Sequence, residues 1–337
     1  MGIVKSCVIG AAMALTLALG AACSSTPTAP TPPPPPPPPI ADPPSLSCIE
    51  GISRATVSAS GMAVSFDTPP VTGGQGSVSV TCSPSSGETF PIGMTAVKCT
   101  ATDSLNRTGS CEFPITVSKL PQLSKTRYLA FGDSITAGEV TFPVGSSSIG
   151  AMAITKQIVV PSAAYPTLLA KTLQGRYASQ ADAITVANYG LGGERVINAR
   201  NRYLSALSTV RPDVVLILEG LNDIPAGENG AASGAAAEIR VWVAEARLRG
   251  ISVFIATPTP GRPGGNRTVN PLLLVDWANR VRDIAARDGA TLVELYNTML
   301  PDVQRYIGVD GLHPNEQGYA KIADIFFQTI QSSFEVR

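Results

Sequence analysis

From residue 122 onward, short apolar runs alternate with longer stretches of helical periodicity. That alternation constrains the fold more than any other feature of the 337-residue chain. The apolar runs cover 128–131, 184–187, 214–218, 253–256 and 291–295, and helical patterns cover 164–177, 196–207, 231–249, 271–287 and 316–334. The run Val214-Val215-Leu216-Ile217-Leu218 is apolar without alternation, as a strand is when both of its faces are covered. Strands and helices in turn at this spacing predict a three-layer α/β domain over 122–337, with five parallel strands. In such a sheet, reactive groups collect in the loops at the strands' C-terminal ends.

The first strand runs into Gly132-Asp133-Ser134. A serine just past a strand, after a glycine that lets the backbone turn sharply, is suited to a nucleophile; a serine capping a helix would look the same. The second strand ends in Asn188-Tyr189-Gly190-Leu191-Gly192-Gly193-Glu194. Its glycines let a backbone N–H face a ligand, or make a plain tight turn, and their spacing is not that of a dinucleotide fingerprint. After the third strand comes Gly220-Leu221-Asn222-Asp223, where an asparagine amide can donate to a developing oxyanion or satisfy its own turn. Near the C-terminus stands Asp310-Gly311-Leu312-His313, with the only histidine of the chain. An aspartate three residues before a histidine can hold its tautomer, although a lone histidine is more often structural. One histidine excludes a multi-histidine metal site.

Taken in order, Phe131-Gly132-Asp133-Ser134-Ile135-Thr136, the glycine turn, Gly220-Leu221-Asn222-Asp223 and Asp310-x-x-His313 resemble the SGNH-hydrolase, or GDSL lipase/esterase, family over essentially all of 126–332. The resemblance implies a flavodoxin-like hydrolase domain that needs no cofactor and no metal. It implies Ser134 as nucleophile, His313 as base and Asp310 as the carboxylate orienting it. The oxyanion hole would be the backbone N–H groups of Ser134 and Gly193 with the amide of Asn222. No G-x-S-x-G elbow occurs in the chain, which disfavours the other common serine-hydrolase fold. The substrate expected is a small-molecule or polysaccharide ester, short-acyl or acetyl esters being favoured. The segment 140–160 carries Val140, Phe142, Val144, Ile149, Met152, Ile154, Ile158, Val159 and Val160. It either walls a pocket, which would suit longer acyl chains, or forms an extra hairpin at the sheet edge. Arg262 and Arg267, after the fourth strand, either meet an anionic substrate or lie solvated.

The N-terminal third reads differently. Residues 1–23 comprise Lys5, an apolar run over 8–19 and small residues ending in Cys23, the layout of an export signal too short for a stable span. Gly20-Ala21-Ala22-Cys23 resembles a lipobox, which implies Cys23 as the lipidated N-terminus of an envelope lipoprotein on the periplasmic or surface side. Plain cleavage after Ala22 would instead give a secreted chain. In 24–44, eight consecutive prolines at 32–39 can neither pair in a sheet nor continue a helix, and predict a polyproline rod.

Residues 45–119 hold short β-branched runs at 63–66, 77–80, 95–98 and 113–117, which suggest a small antiparallel sandwich. Its four cysteines allow three disulfide pairings, of which Cys82 with Cys99 and Cys48 with Cys111 is favoured. Glu88-Thr89-Phe90-Pro91-Ile92-Gly93 before Cys99, and the closing Cys111 to Val117 run, resemble the hyalin-repeat (HYR) module. That implies an immunoglobulin-like spacer or adhesion domain, with a glycan or protein ligand as its partner if it binds one. Twenty-five basic against 25 acidic side chains argue against nucleic acid, whose binding rests on clustered Lys and Arg. The reading from another class is a surface adhesion or glycan-binding lipoprotein that uses the hydrolase fold as a scaffold.

Overall fold

The computed structural model describes residues 35–36, 38–146, 153–224 and 231–336. Cys23 and the rest of 1–23, together with Ile149 and Met152, lie outside the described residues. Residues 38–44 carry no helix or strand, and Ala41 and Asp42 already hydrogen-bond to Gln75 and Gly74 of the first domain.

The first domain is strand-rich. Its four-stranded sheet has the order Ile52–Thr56, Thr108–Lys119, Gly93–Thr102, Ser79–Ser83. Two small ladders, Ser45–Leu46 with Val71–Thr72 and Met62–Ala63 with Thr89–Phe90, complete it. Alternate residues Phe113, Ile115 and Val117 of the long strand are buried with Val64, Phe90, Val97 and Cys99, the period of two expected of a half-covered sheet. The antiparallel expectation holds for the inner pairs but not at one edge, where Ile52–Thr56 runs parallel to its neighbour. The strand expected over 63–66 stops at Ala63, because the Ser86 hydroxyl takes both backbone hydrogen bonds of Phe66. The disulfides are Cys82–Cys99 and Cys48–Cys111. Loops of 17 and 63 residues closed in this way contribute about 3 and about 4 kcal/mol by loop-closure entropy.

The second domain has a five-stranded parallel sheet: β1 Arg127–Gly132, β2 Thr185–Gly190, β3 Val214–Leu218, β4 Ser252–Ala256 and β5 Thr291–Val293. Their order is β2-β1-β3-β4-β5, all neighbours parallel. Its helices are α1 Ser134–Ala137, α2 Tyr165–Arg176, α3 Val196–Val210, α4 Ala231–Leu248, α5 Pro271–Asp288 and α6 Glu316–Phe334, with two shorter ones between β5 and α6. Along one face α3 packs on α4 and α4 on α5; along the other, α2 packs on α6. Every residue of β3 is buried, as its unbroken apolar run requires. Phe131 of β1 meets Tyr203 of α3 and Trp242 of α4 edge to face, which fixes the strand that leads to Ser134.

Because the chain passes from β1 outward to β2 and then returns to β3 on the other side of β1, the order reverses beside β1. Crevices at that reversal are where ligands bind in open α/β sheets. Within segment 140–160, Glu139–Ser146 pairs antiparallel with Ala153–Val159 as a hairpin, and among the described residues this hairpin pairs with no strand of the main sheet. Among the described residues no helix is long and apolar enough to cross a membrane.

Candidate active site

Ser134 is the first residue of α1, directly past β1. Asp133 caps that helix, its carboxylate accepting from the N–H of Ile135 at 2.9 Å. The Ser134 N–H, at the first helical position, has no partner within its own helix. The helix start expected at the serine is real, but its cap is Asp133 rather than Ser134. His313 and Asp310 lie in the loop that precedes α6. A bridge between Ile307 and Pro314 and the bond from Gly308 N–H to the His313 carbonyl (2.7 Å) pinch this loop shut. The N–H groups of Arg262 and Arg267 donate to the carbonyls of Gly311 and Asp310 and brace it from the β4–α5 connection. Asn315 caps α6 by accepting from Gly318.

This loop brings His313 Nε2 to 2.9 Å from Ser134 Oγ, and His313 Nδ1 to 2.6 Å from Asp310 Oδ2. All three side chains are buried. The other oxygen of Asp310 accepts from the N–H groups of Leu312 and His313, each at 3.1 Å. Burial pushes the Asp310 carboxyl up, but the bonds from His313 and the two backbone groups outweigh it and hold the carboxyl below its ordinary range. Asp310 is thus an anion at neutral pH that accepts the Nδ1 proton and leaves Nε2 as the ring's acceptor.

The glycine turn is drawn to the same place. Leu191 N–H donates to the Gly132 carbonyl at 2.9 Å, and Gly190 packs so close to α1 that a Cβ there would lie 2.0 Å from the Ala137 nitrogen. Gly193 has φ +73°, a conformation that favours glycine. The β3–α4 loop is tied to this turn twice. Asn222 Nδ2 donates to the Glu194 carbonyl at 2.9 Å, and Asp223 accepts from Val196 N–H, also at 2.9 Å, at the start of α3. An asparagine amide carries two N–H donors, so Asn222 keeps one beyond the bond that anchors it.

Behind this row sits a group of acids. Asp133 is pushed up to about 7, burial being the main cause, with Glu139 and Asp223 adding repulsion. Glu219, with both carboxyl oxygens buried and without hydrogen-bond partners among the described residues, is held well above the usual range by burial and then by Asp133. Among the described residues no group of three His, Cys, Asp or Glu side chains could hold a metal ion.

The hairpin reaches the site. Gln157 Nε2 lies 3.3 Å from His313 Nε2, its Oε1 accepts from Arg267 Nη1 at 2.5 Å, and Glu139 Oε2 stands 3.8 Å from His313 Nε2. Its first strand also lines a cavity of about 460 Å³ with Arg262, Gly308 and Val309, whose lining does not include Ser134, Asp310 or His313, so the segment is an extra hairpin beside the site. Arg262 donates to the Ile307 carbonyl at 3.2 Å. Sequence reasoning missed Gln157 and Glu139, since no motif contains them and only the hairpin's return brings Gln157 to the histidine.

A flavodoxin-like parallel sheet with a serine and a histidine meeting beside its order reversal is the SGNH-hydrolase fold, not the one built around a G-x-S-x-G elbow. Within that class, the model of the GDSL-like Lipase/Acylhydrolase family matches residues 130–321, and that of the HYR domain matches residues 41–117. The chain belongs to the GDSL-like lipase/acylhydrolase family, a family of carboxylic-ester hydrolases. It is 25% identical over 177 residues to an acetylxylan esterase of Xylanibacter ruminicola. That match covers 44% of this chain and 36% of the relative, so the chain spans little more than a third of that protein. Its fold is similar to the crystal structure of a lipase/acylhydrolase from Enterococcus faecalis (TM-score 0.50, 20% identity, 62% of this chain and 97% of that one). A crystal structure of an acetyl xylan esterase also matches, with a TM-score of 0.47, 21% identity, and 60% and 98% covered.

Proposed function

We propose that this chain hydrolyses short-acyl esters, acetyl groups on a polysaccharide above all, through a Ser134–His313–Asp310 relay. The observation that carries the reading is the continuous hydrogen-bonded line of the three buried side chains, 2.9 Å and then 2.6 Å. Ser134 Oγ attacks the ester carbonyl carbon as its proton passes to His313 Nε2, and Asp310 stabilises the imidazolium that results. Negative charge gathers on the former carbonyl oxygen, where the N–H groups of Ser134 and Gly193 and the free N–H of Asn222 receive it. The tetrahedral intermediate collapses as Nε2–H protonates the leaving alcohol oxygen, which leaves an acyl group on Ser134. Water then attacks that ester as His313 takes its proton; the acyl–Oγ bond breaks as Nε2–H returns the proton to Ser134 Oγ, and the carboxylic acid departs.

The acetyl preference is supported by the likeness to the Xylanibacter acetylxylan esterase. The protein acts at a bacterial cell envelope, where Cys23 carries a lipid and the proline-rich segment 24–44 links it to the folded domains. The basic, apolar and small-residue leader ending in Cys23 supports that tether. The test is hydrolysis of p-nitrophenyl esters from acetate to long acyl chains, by the wild type and by Ser134→Ala. Turnover of acetate that Ser134→Ala abolishes is expected. Equal turnover by the variant would remove Ser134 as nucleophile, and a maximum at long chains would replace the acetyl reading with a lipase-like one.

A further inference from the structure

We propose that Gln157, locked in one amide orientation by Arg267, is a positioning residue that keeps His313 Nε2 an unprotonated acceptor in front of Ser134. The inference rests on the reading of His313 as the base. An arginine side chain has only donors, so the atom of Gln157 that meets Arg267 Nη1 at 2.5 Å must be the carbonyl oxygen Oε1. That assignment leaves the NH2 end facing His313 Nε2 at 3.3 Å, where it can only donate. Asp310 already takes the Nδ1 proton. The lone pair of Nε2 therefore receives two donors, the Ser134 hydroxyl at 2.9 Å and the Gln157 amide.

The contact favours neutral imidazole over imidazolium. Once Nε2 is protonated, its N–H faces the N–H of Gln157, and two donors opposed cost free energy. Gln157 must then withdraw or turn, and Arg267 resists the turn. The charged and titratable groups facing His313 are Asp310 at Nδ1, Glu139 at 3.8 Å from Nε2, Asp133 beside Ser134, and Arg267 behind the amide. Asp310 and Glu139 favour imidazolium, as does Asp133 where it is ionised, and Gln157 with Arg267 opposes them. Gln157 is exposed on a hairpin outside the main sheet, so substitutions there leave the core intact.

The experiment uses the full chain and its one histidine. The pH midpoint of kcat/KM on p-nitrophenyl acetate and the midpoint of the single imidazole NMR titration are measured together. Gln157→Met, which cannot donate, should raise both midpoints by about half to one pH unit, the worth of one neutral hydrogen bond. Gln157→Glu should raise them by about one unit or more, because a carboxylate then faces Nε2. Arg267→Met should raise them as well, by freeing the amide to turn, whereas Arg267→Lys, another donor-only cation, should leave them in place. Midpoints unmoved or lowered in both Gln157 variants overturn the proposal. Absence of ester turnover in the wild type would overturn the function instead, and the imidazole titration would still report whether Gln157 touches His313.

Discussion

Asparagine at position 310 separates a proton relay from a loop clamp. Asp310 accepts three hydrogen bonds: two from the backbone of Leu312 and His313 through Oδ1, and one from His313 Nδ1 through Oδ2 at 2.6 Å. Asparagine has the same size, and its Oδ1 can keep both backbone bonds, so the loop survives. Its NH2 then occupies the place of Oδ2 and turns donors toward Nδ1. Nδ1 must become the acceptor, and the ring proton moves to Nε2, 2.9 Å from Ser134 Oγ. A nitrogen that already carries a proton cannot take another from serine. This wrong tautomer costs about 10⁴ in kcat where the same exchange is made in a serine-protease triad, or about 5.4 kcal/mol of barrier. If Asp310 only held the loop, its replacement would cost one charge-assisted bond of about 1.5–3 kcal/mol in stability, with turnover little changed. The assay is kcat/KM on p-nitrophenyl acetate for Asp310→Asn beside its Tm, with ¹⁵N spectra of the lone imidazole to read the tautomer. Activity within about tenfold of wild type, against the 10⁴ expected, would refute the relay. So would a full loss of activity with the proton still on Nδ1.

Asn222→Ala removes one proposed oxyanion donor and should lower kcat on the same ester by about 10²–10³ with a smaller change in KM; a change in KM alone would mean that Asn222 only anchors the turn through Glu194. Asp133→Asn tests the buried acid at the start of α1. With the carboxyl raised from the ordinary 3.8 to about 7, the folded protein keeps a proton that the unfolded chain gives up, so this group makes stability fall as pH rises from about 4 to about 7. At about 1.4 kcal/mol per pH unit, that interval is worth up to about 4 kcal/mol. Asparagine can still cap Ile135 and does not titrate, so denaturant melts across this range should show a flatter decline in the variant, and equal slopes would contradict a raised Asp133.

What the sequence made legible follows the reach of its signals. The non-alternating run Val214–Leu218 and the helical stretches between apolar runs are local patterns, and they carry the order of strands and helices because burial of each element is decided by its own residues. Ser134, Gly193, Asn222, Asp310 and His313 were legible because each sits in a short motif at a strand end or in the last loop. The sheet order then gathers those ends. The parallel edge strand Ile52–Thr56 was not legible, since ISRAT has no period and its register to Ile115 is set by the crossing chain between them. The strand that failed at Val64–Phe66 failed for a reason that no pattern reports: a serine hydroxyl 20 residues away satisfies Phe66's backbone. Gln157 belongs with these. It lies 156 residues from His313, in a hairpin whose sequence is mostly apolar and polar uncharged and carries no motif around its one amide. Motifs therefore point to the residues proposed to exchange protons, while a group proposed to position them comes from whichever segment the fold returns to the site. For this chain that segment is the hairpin. Under the role proposed for Gln157, its contact with the lone histidine makes the protonation state of His313 depend on residues that no family motif contains.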